Sequence, residues 1–266
     1  MKASLRRAVY LGMRGSGALD LKRRWLARAG KGWASVLVFH QVSDSDPESG
    51  ICLSSERFRQ VLRELERSYE VVSVDRFVEH LEEKRPFTGR EVLITFDDGY
   101  ADNHEVAAPI LKEHGFPAVF FLTAGHIGTS HSFWWDTAAG RQSRLMSWDQ
   151  ARELAAMGFD IGCHTMTHPD LGREPIKHWQ KELVASKQLL EQHLGQAVRH
   201  FAYPFGAREN IRMEWLDRIK QTGFRSSFCG FGGLATAEDD PFWIPRMGAA
   251  HQRAVVDLRI DIDNAW

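Results

Sequence analysis

Short apolar runs alternate with segments of helical periodicity along most of the chain, beginning near residue 35. The apolar runs predict seven strands, at 35–40, 71–74, 92–96, 118–123, 159–164, 200–205 and 224–229. Helical periodicity is clearest at 176–194 and weaker at 55–68, 75–84, 103–114, 147–157 and 210–222. Strands that alternate with helices are typical of β/α units around a parallel sheet, and seven strands are enough for a barrel. The pattern therefore predicts an α/β protein built on parallel strands.

Residues 1–34 form a basic amino-terminal arm that differs in composition from residues 35–266. Residues 1–35 contain nine of the 34 lysines and arginines and one acid, whereas the whole chain has a net charge of −1. Apolar side chains such as Leu5, Leu21 and Trp25 lie among these charges. Such a segment suits peripheral contact with an anionic membrane surface or with a partner. The alternatives are an amphipathic helix that covers part of the barrel and a frayed terminus.

Composition excludes several classes of protein. A chain of 266 residues with 43% hydrophobic residues can bury one large core and is not disordered. A net charge of −1 gives no electrostatic case for nucleic acid as a partner. The cysteines Cys52, Cys163 and Cys229 are too few and too far apart for a disulfide scaffold or a zinc ribbon. Because the arm has no uninterrupted apolar run, we expect a cytoplasmic protein, peripheral to the inner membrane face if the arm binds lipid.

Two adjacent carboxylates follow the most continuous apolar run. Residues 92–96 are followed directly by Asp97, Asp98 and Gly99. Active sites of parallel α/β folds lie at the carboxyl ends of the strands, so both acids fall where catalytic groups are expected. The alternative is a solvated turn, because Asp-Gly is a frequent turn dipeptide.

Two histidines follow another predicted strand with the spacing of a metal-binding pair. His164 and His168 can reach one ion from a helical turn or a tight loop. Two histidines and one carboxylate form a catalytic metal shell with open positions for water. The strand at 200–205 ends in a Pro-Phe-Gly bend, which can aim a backbone N–H at a developing oxyanion. Each of these segments alone also fits an ordinary structural role.

Together, the segments 95–99, 164–168 and 201–206 resemble the first three motifs of the polysaccharide deacetylases, the NodB-homology domain of carbohydrate esterase family 4. The resemblance extends from about residue 36 to residue 248. It implies that residues 35–266 form a NodB-like domain, a distorted (β/α)7 barrel with parallel strands. It also implies metal-dependent removal of acyl groups, usually N-acetyl groups, from amino sugars.

The resemblance assigns a role to each motif residue. Three residues would hold one divalent metal ion: Asp98, His164 and His168. Zinc is the expected ion, with cobalt, nickel, manganese and iron as alternatives. Asp97 would be the general base, because an unligated carboxylate near a metal-activated water can take its proton during attack. The backbone N–H of Phe205, with Tyr203 beside it, would contact the substrate and the oxyanion.

The chain departs from the usual family pattern at two places. Ala202 stands where the third motif usually has an arginine that braces the catalytic aspartate, and Arg246 is the best candidate to pair with Asp97 instead. A Leu-x-His segment is not evident near the carboxyl terminus. His40 ends the first predicted strand and resembles the start of deacetylases with circularly permuted motifs, so we expect it to be the general acid. A structural hydrogen bond is the alternative role for His40, and His251 is the second candidate acid.

We therefore expect a polysaccharide N-deacetylase, a hydrolase that acts on carbon–nitrogen bonds other than peptide bonds. Its substrate would be an amino sugar in a glycan, or a lipid- or nucleotide-linked precursor of an envelope polysaccharide. Four other functions remain as alternatives: a non-catalytic glycan-binding relic of the same fold, a deacylase of another amide or ester, a glycosyltransferase and an iron oxygenase. A glycosyltransferase leaves the two histidines unexplained, an oxygenase gives Asp97 no role, and a relic would lack the base or a ligand.

Overall fold

The computed structural model describes residues 3–45, 50–249 and 254–264. Seven parallel strands of this part of the chain form a closed barrel: β1 (Trp33–Phe39), β2 (Glu91–Phe96), β3 (Val119–Leu122), β4 (Asp160–Cys163), β5 (His200–Ala202), β6 (Ser226–Gly232) and β7 (Ile244–Gly248). Successive strands are neighbours, and β1 closes the barrel by pairing with both β2 and β7. The β6–β7 pairing shifts register between Ile244 and Arg246. The expected distorted (β/α)7 barrel is confirmed.

Helices lie where the periodicity predicts them. The α-helices of the described residues are α1 (Ala3–Gly15), α2 (Ala18–Arg28), α3 (Ser55–Ser68), α4 (Val74–Glu82), α5 (Ala108–His114), α6 (Trp134–Ala138), α7 (Trp148–Ala156), α8 (Ser186–Leu194), α9 (Met213–Gln221) and α10 (Val255–Ile262). The π-helical turns Asn103–Ala107 and Gln180–Ala185 lead into α5 and α8, and Ile176–His178 and Arg208–Asn210 are 3-10 turns. Ser147 starts α7 with a reciprocal capping box to Gln150, which satisfies two backbone donors.

One predicted barrel strand is wrong, and another barrel strand escaped prediction. The segment 71–74 is extended only as Glu70–Val71, which pairs with the start of β2 outside the barrel. Ser73 then caps α4 by accepting the backbone N–H of Arg76, so the chain turns helical at Val74. The seventh barrel strand is β7 instead. Arg246 interrupts its apolar pattern, although the side chain is buried, and this hides the strand from a search for apolar runs.

Short strands flank the barrel. Leu234–Thr236 pairs antiparallel with the start of β1. Gln41–Val42 and Cys52–Leu53 form a separate two-stranded sheet just beyond the carboxyl end of β1. This small sheet therefore stands beside the end of the barrel at which the predicted catalytic residues follow their strands.

Alternate residues of the barrel strands pack into two separate clusters, as the pleat requires. Phe39, Phe96 and Phe120 stack in succession with ring centroids 5.3 and 4.8 Å apart, on the side that faces α3. Residues of the opposite parity, including Leu93 and Phe121, form the second cluster with α4. Thr95 lies on the same face of β2 as Leu93, so its side chain points into the interior of the barrel.

The basic arm forms a helical hairpin, α1 and α2, which packs against α10. Tyr10, Leu19 and Ile260 make a small apolar cluster between them. Arg6 pairs with Asp261 on α10 at 2.8 Å. The arm of the described chain is thus helical and attached to the barrel, in agreement with the helical alternative. No helix among the described residues combines the length and the apolar character that crossing a bilayer requires.

Candidate active site

Seven predicted site residues come together at the carboxyl end of the barrel: His40, Asp97, Asp98, His164, His168, Phe205 and Arg246. Backbone pairing continues just past the strands and fixes these residues. The N–H of Asp97 donates to the carbonyl of Phe39 at 3.0 Å, and the N–H of His164 donates to Leu122 at 2.9 Å. The expectation that these motifs share one edge of a parallel sheet is met by the structure.

Asp98, His164 and His168 form a compact group of metal-ligating side chains. One ligand atom from each lies within 4.8 Å of the others. Nε2 of His164 is 3.4 Å and Nε2 of His168 is 3.2 Å from Oδ1 of Asp98. All three side chains are buried. Two imidazoles and one carboxylate make a donor set that suits a divalent transition metal with open positions for water.

Two features of the buried atoms test whether this group fits a cation. Nδ1 of His164 donates to the carbonyl of Ala202 at 2.8 Å, which turns the lone pair of Nε2 toward Asp98. Oδ1 of Asp98 is buried and accepts no hydrogen bond within the described chain. A buried carboxylate oxygen without a donor costs free energy unless a positive charge compensates it. The residues present therefore fit a metal ion.

Local electrostatics set the protonation of the three side chains. Burial raises the pKa of Asp98, but contacts with His164 and His168 outweigh it and hold that pKa below its ordinary value. Burial lowers the pKa of His168, so this imidazole is neutral at neutral pH. Burial also opposes the charge on His164, yet the carboxylates of Asp97 and Asp98 raise its pKa. Asp98 and His168 are therefore in the forms that ligate metals, which bind deprotonated groups.

Left-handed backbone conformations concentrate at this site. Among described residues other than glycine, φ is positive at four site positions: Asp98 (76°), Thr165 (67°), His168 (56°) and Phe205 (61°). Each such residue costs on the order of 1–3 kcal/mol, so the surroundings must hold it. Glu182 holds the loop between His164 and His168 in place, because its carboxylate accepts the N–H groups of Met166 and Thr167, each at 3.0 Å. The backbone strain is thus found at residues of the candidate site, where it sets the direction of their side chains.

Asp97 is held by Arg246 in a bidentate, buried ion pair. Nη1 and Nη2 of Arg246 donate to the two oxygens of Asp97 at 2.8 and 2.7 Å. The guanidinium also donates to the carbonyl of Cys229 at 2.8 Å and to the hydroxyl of Thr95 at 3.2 Å. Burial raises the pKa of Asp97, but the charges of Arg246 and His164 outweigh it and lower that pKa. Arg246 therefore makes the ion pair with Asp97 that we expected of a substitute for the missing third-motif arginine.

His40 lies beside both carboxylates at the rim of the barrel. Burial raises the pKa values of Asp97 and Asp98, and the charge of His40 is among the interactions that lower them. The His40 side chain is half-buried and so remains accessible from outside. The structure thus brings His40 to the site, while its role as an acid stays a prediction. His251, the second candidate acid, lies outside the described residues.

The backbone of His40 is anchored by two residues that sequence reasoning missed. Nδ2 of Asn103 donates to the carbonyl of His40 at 2.7 Å and to Oδ1 of Asp102 at 2.9 Å. Oδ1 of Asp102 also accepts the N–H of Val42 at 3.1 Å. The only sequence signal was that Asp102 and Asn103 closely follow the carboxylate pair.

The Pro-Phe-Gly turn places Phe205 and Tyr203 differently. The Phe205 ring is 45% exposed, and its centroid lies 4.8 Å from that of His168. Tyr203 is 1% exposed, its hydroxyl accepts from Ser227, and its N–H donates to Phe228. The Tyr203 ring points into the core, so the structure does not bring this side chain to the site surface, and its contact with substrate stays a prediction. Phe205 alone of the two faces the site.

An aromatic rim, formed by Phe133, Trp134, Trp135 and Phe205, borders the histidine side of the site. The ring of Trp135 lies 5.2 Å from that of His168 and 5.9 Å from that of Phe205. Trp134 beside it is 67% exposed. A Phe-Trp-Trp run in a loop was the sequence signal for this rim.

A buried polar network orients Trp135. Its Nε1 donates to the hydroxyl of Tyr100 at 2.9 Å, and that hydroxyl donates to Asp136 at 2.9 Å. Asp136 in turn pairs with Arg141 at 3.0 Å. Trp135 is thus fixed on two sides, by this network and by the stacked ring of Phe133 at 4.5 Å.

Similarity to solved structures agrees with the fold. The chain superposes on the deacetylase PplD of Streptococcus pyogenes, solved with acetate, with a TM-score of 0.73 and 22% identity, covering 86% of this chain and 98% of that one. It superposes on IcaB of Ammonifex degensii with a TM-score of 0.70 and 25% identity, covering 82% and 92%.

Curated bacterial proteins are similar over part of their length. The chain is 29% identical over 166 residues to YxkH of Bacillus subtilis, covering 62% of this chain and 53% of that protein. It is 25% identical over 177 residues to the poly-beta-1,6-N-acetyl-D-glucosamine N-deacetylase of Staphylococcus aureus, covering 63% and 57%. The chain thus spans somewhat more than half of the length of these two relatives.

The family model for polysaccharide deacetylase matches residues 84–227, a little over half of the chain. The matched segment contains the two aspartates, the two histidines and the Pro-Phe-Gly turn, whereas His40 and Arg246 lie outside it. The match agrees with the resemblance of the three motifs. The chain belongs to the polysaccharide deacetylase family.

Proposed function

We propose that the chain is a metal-dependent N-deacetylase, which hydrolyses the N-acetyl groups of amino sugars in a glycan. One observation carries the proposal: a buried Asp98, His164 and His168 group lies next to a second carboxylate, Asp97, that is braced by its own arginine. A metal site alone would need only the group of Asp98, His164 and His168. The second, separately held carboxylate supplies the base that amide hydrolysis requires.

The surroundings of Asp97 suit a general base. A divalent metal held by Asp98, His164 and His168, with zinc as the proposed ion, would polarise the acetamide carbonyl and lower the pKa of a water. Asp97 takes a proton from the attacking water as its oxygen bonds to the carbonyl carbon. Arg246 keeps both carboxylate oxygens in place, and the lowered pKa of Asp97 keeps it ionised at neutral pH.

The remaining residues serve the oxyanion and the leaving group. Within the described chain, the N–H of Phe205 donates to no backbone carbonyl, which leaves it for the carbonyl oxygen as negative charge develops. His40 gives its proton to the sugar nitrogen as the carbon–nitrogen bond breaks. The products are acetate, which keeps the water oxygen, and a free amine.

The aromatic rim supports a sugar substrate. The half-buried indole of Trp135 and the exposed ring of Phe205 suit the apolar faces of sugar rings, and both lie directly beside His168. Because a relative is named as a poly-beta-1,6-N-acetyl-D-glucosamine N-deacetylase, we propose this polymer as the first substrate to test. A lipid- or nucleotide-linked N-acetylamino sugar presents the same acetamide and is the second.

The test is acetate release by the zinc-loaded chain from β-1,6-linked N-acetylglucosamine oligomers and from UDP-N-acetylglucosamine. Asp97→Asn keeps the side-chain volume but removes the base, so the rate should fall by roughly 100-fold or more with unchanged zinc content. Asp217→Asn, on the exposed face of α9, is the matched control and should keep the rate. Full activity of Asp97→Asn, or no acetate from either substrate with the zinc-loaded wild type, would refute the proposal.

A further inference from the structure

The α1–α2 hairpin exposes more large apolar side chains than any other part of the described chain. Five of the nine exposed large hydrophobic residues belong to it: Leu5, Val9, Leu11, Leu21 and Trp25. Leu21 and Trp25 are 68% and 67% exposed. A helix of a globular protein normally turns its apolar stripe toward the core. The packing of the barrel therefore does not explain these residues.

The inner face of the hairpin adds ion pairs to the small apolar cluster of Tyr10, Leu19 and Ile260. Arg7 pairs with Asp257 at 2.6 Å, and the hydroxyl of Tyr10 donates to Asp263 at 2.6 Å. Arg23, itself buried, also pairs with Asp263. These contacts hold the hairpin on the body of the protein, while its other large apolar side chains, Leu5, Val9, Leu11, Leu21 and Trp25, point outward.

Basic side chains without ionic partners border the exposed apolar residues. Within the described residues, Arg24, Arg28 and Lys31 are exposed and take part in no ion pair. Leu21, Arg24, Trp25 and Arg28 share one face of α2, because they follow the three- and four-residue spacing of a helix. Tryptophan and leucine flanked by arginine and lysine are the composition of helices that lie in an anionic membrane interface.

The hairpin lies at the end of the barrel opposite the candidate active site. Asp20 on α2 pairs with Arg90 at 2.6 Å, and Arg90 directly precedes β2. Trp33, the first residue of β1, donates to the carbonyl of Ile262 at the end of α10. Both contacts are at the amino ends of strands, whereas the metal-ligating group follows their carboxyl ends.

We propose that the outer face of the α1–α2 hairpin docks on a bilayer containing anionic lipids, with the catalytic end of the barrel turned away from the bilayer. The apolar side chains enter the interface, and Arg24, Arg28 and Lys31 meet the lipid phosphates. A substrate chain then approaches from the side away from the membrane. This inference concerns a surface remote from the deacetylase site and does not depend on the proposed activity.

The test is sedimentation of the full chain with vesicles of phosphatidylcholine and phosphatidylglycerol, compared with vesicles of phosphatidylcholine alone. Wild type should sediment with the anionic vesicles and should not sediment with the neutral vesicles. Trp25→Ser should weaken binding about tenfold, because a large apolar side chain is removed from the interface. The double variant Arg24→Gln/Arg28→Gln should weaken it roughly 30-fold, about five-fold for each charge.

Matched controls come from the other end of the barrel. Trp134 is as exposed as Trp25, at 67%, and Trp134→Ser should bind vesicles like wild type. Absence of wild-type binding to anionic vesicles would overturn the proposal, as would equal binding by Trp25→Ser. Loss of binding in Trp134→Ser alone would show that the catalytic face docks instead. A soluble dimer that Trp25→Ser dissociates, without vesicle binding, would assign the face to a second copy of the chain and also overturn the proposal.

Discussion

Replacing Arg246 by glutamine removes the positive charge that compensates Asp97 inside the barrel. Both side chains are almost completely buried, at 2% and 6% exposure. Breaking a buried ion pair by removing one partner costs about 3–5 kcal/mol, because the other charge remains without compensation. Since domains of this kind are stable by about 5–15 kcal/mol, Arg246→Gln should stay folded but lose a large part of its free energy of unfolding.

The cost of Arg246→Gln should depend on pH with a definite sign. In the wild type the pKa of Asp97 is lowered, so its stabilisation is present above the unfolded pKa of about 3.9 and is lost as pH falls through the folded pKa. Without the guanidinium, burial dominates and raises that pKa, which makes ionised Asp97 destabilising. The difference in free energy of unfolding should therefore be large at about pH 7 and shrink below about pH 4.

Urea denaturation of metal-free wild type and Arg246→Gln across this pH range measures the difference. Arg63→Gln, which removes a guanidinium from an exposed pair with Glu56, is the control and should change little. Arg246→Lys keeps the charge but not the two-pronged hydrogen bond, so its loss should be smaller. A cost below about 1 kcal/mol at neutral pH, or one that does not vary with pH, would show that Arg246 does not compensate the buried charge of Asp97.

Three further predictions concern neighbouring residues. Burial raises the pKa of Asp102 to about 7, so stability falls as pH rises from the unfolded pKa of about 3.9 to about 7, and Asp102→Asn should abolish this fall between melting temperatures measured at about pH 4 and about pH 8. Asn103→Ala removes the anchor of the His40 carbonyl and should lower kcat roughly five- to tenfold with little change in KM; an unchanged kcat would contradict the anchoring role. Trp135→Ala should raise KM for oligosaccharides about tenfold while zinc content stays constant, and an unchanged KM would remove Trp135 from the sugar site.

The sequence was sufficient to place the motifs because a parallel barrel collects the carboxyl ends of its strands at one edge. Asp97, Asp98 and His164 each follow a predicted strand, and the structure brings them together. The pairing of Arg246 with Asp97 could also be predicted, since Ala202 stands where the third motif usually has an arginine. Neither inference needed the exact bounds of a strand.

Other features depend on the chain's three-dimensional path, which local patterns do not encode. The segment 71–74 has the apolar residues of a strand, yet the cap at Ser73 turns it into a helix. Tyr203 is adjacent to the Pro-Phe bend, but strand parity directs its ring inward. Which side chains of α1 and α2 stay exposed depends on packing against α10, hundreds of residues away in sequence.

Acetate release during stepwise addition of zinc to chelator-treated protein measures directly whether the reaction depends on a metal ion. We expect no release without metal and a maximum at about one zinc per chain, because Asp98, His164 and His168 form one site. His168→Ala should remain folded, bind zinc weakly and release no acetate at the same zinc concentration. Full acetate release by the metal-free protein, or by His168→Ala, would show that hydrolysis does not need a metal ion at this site.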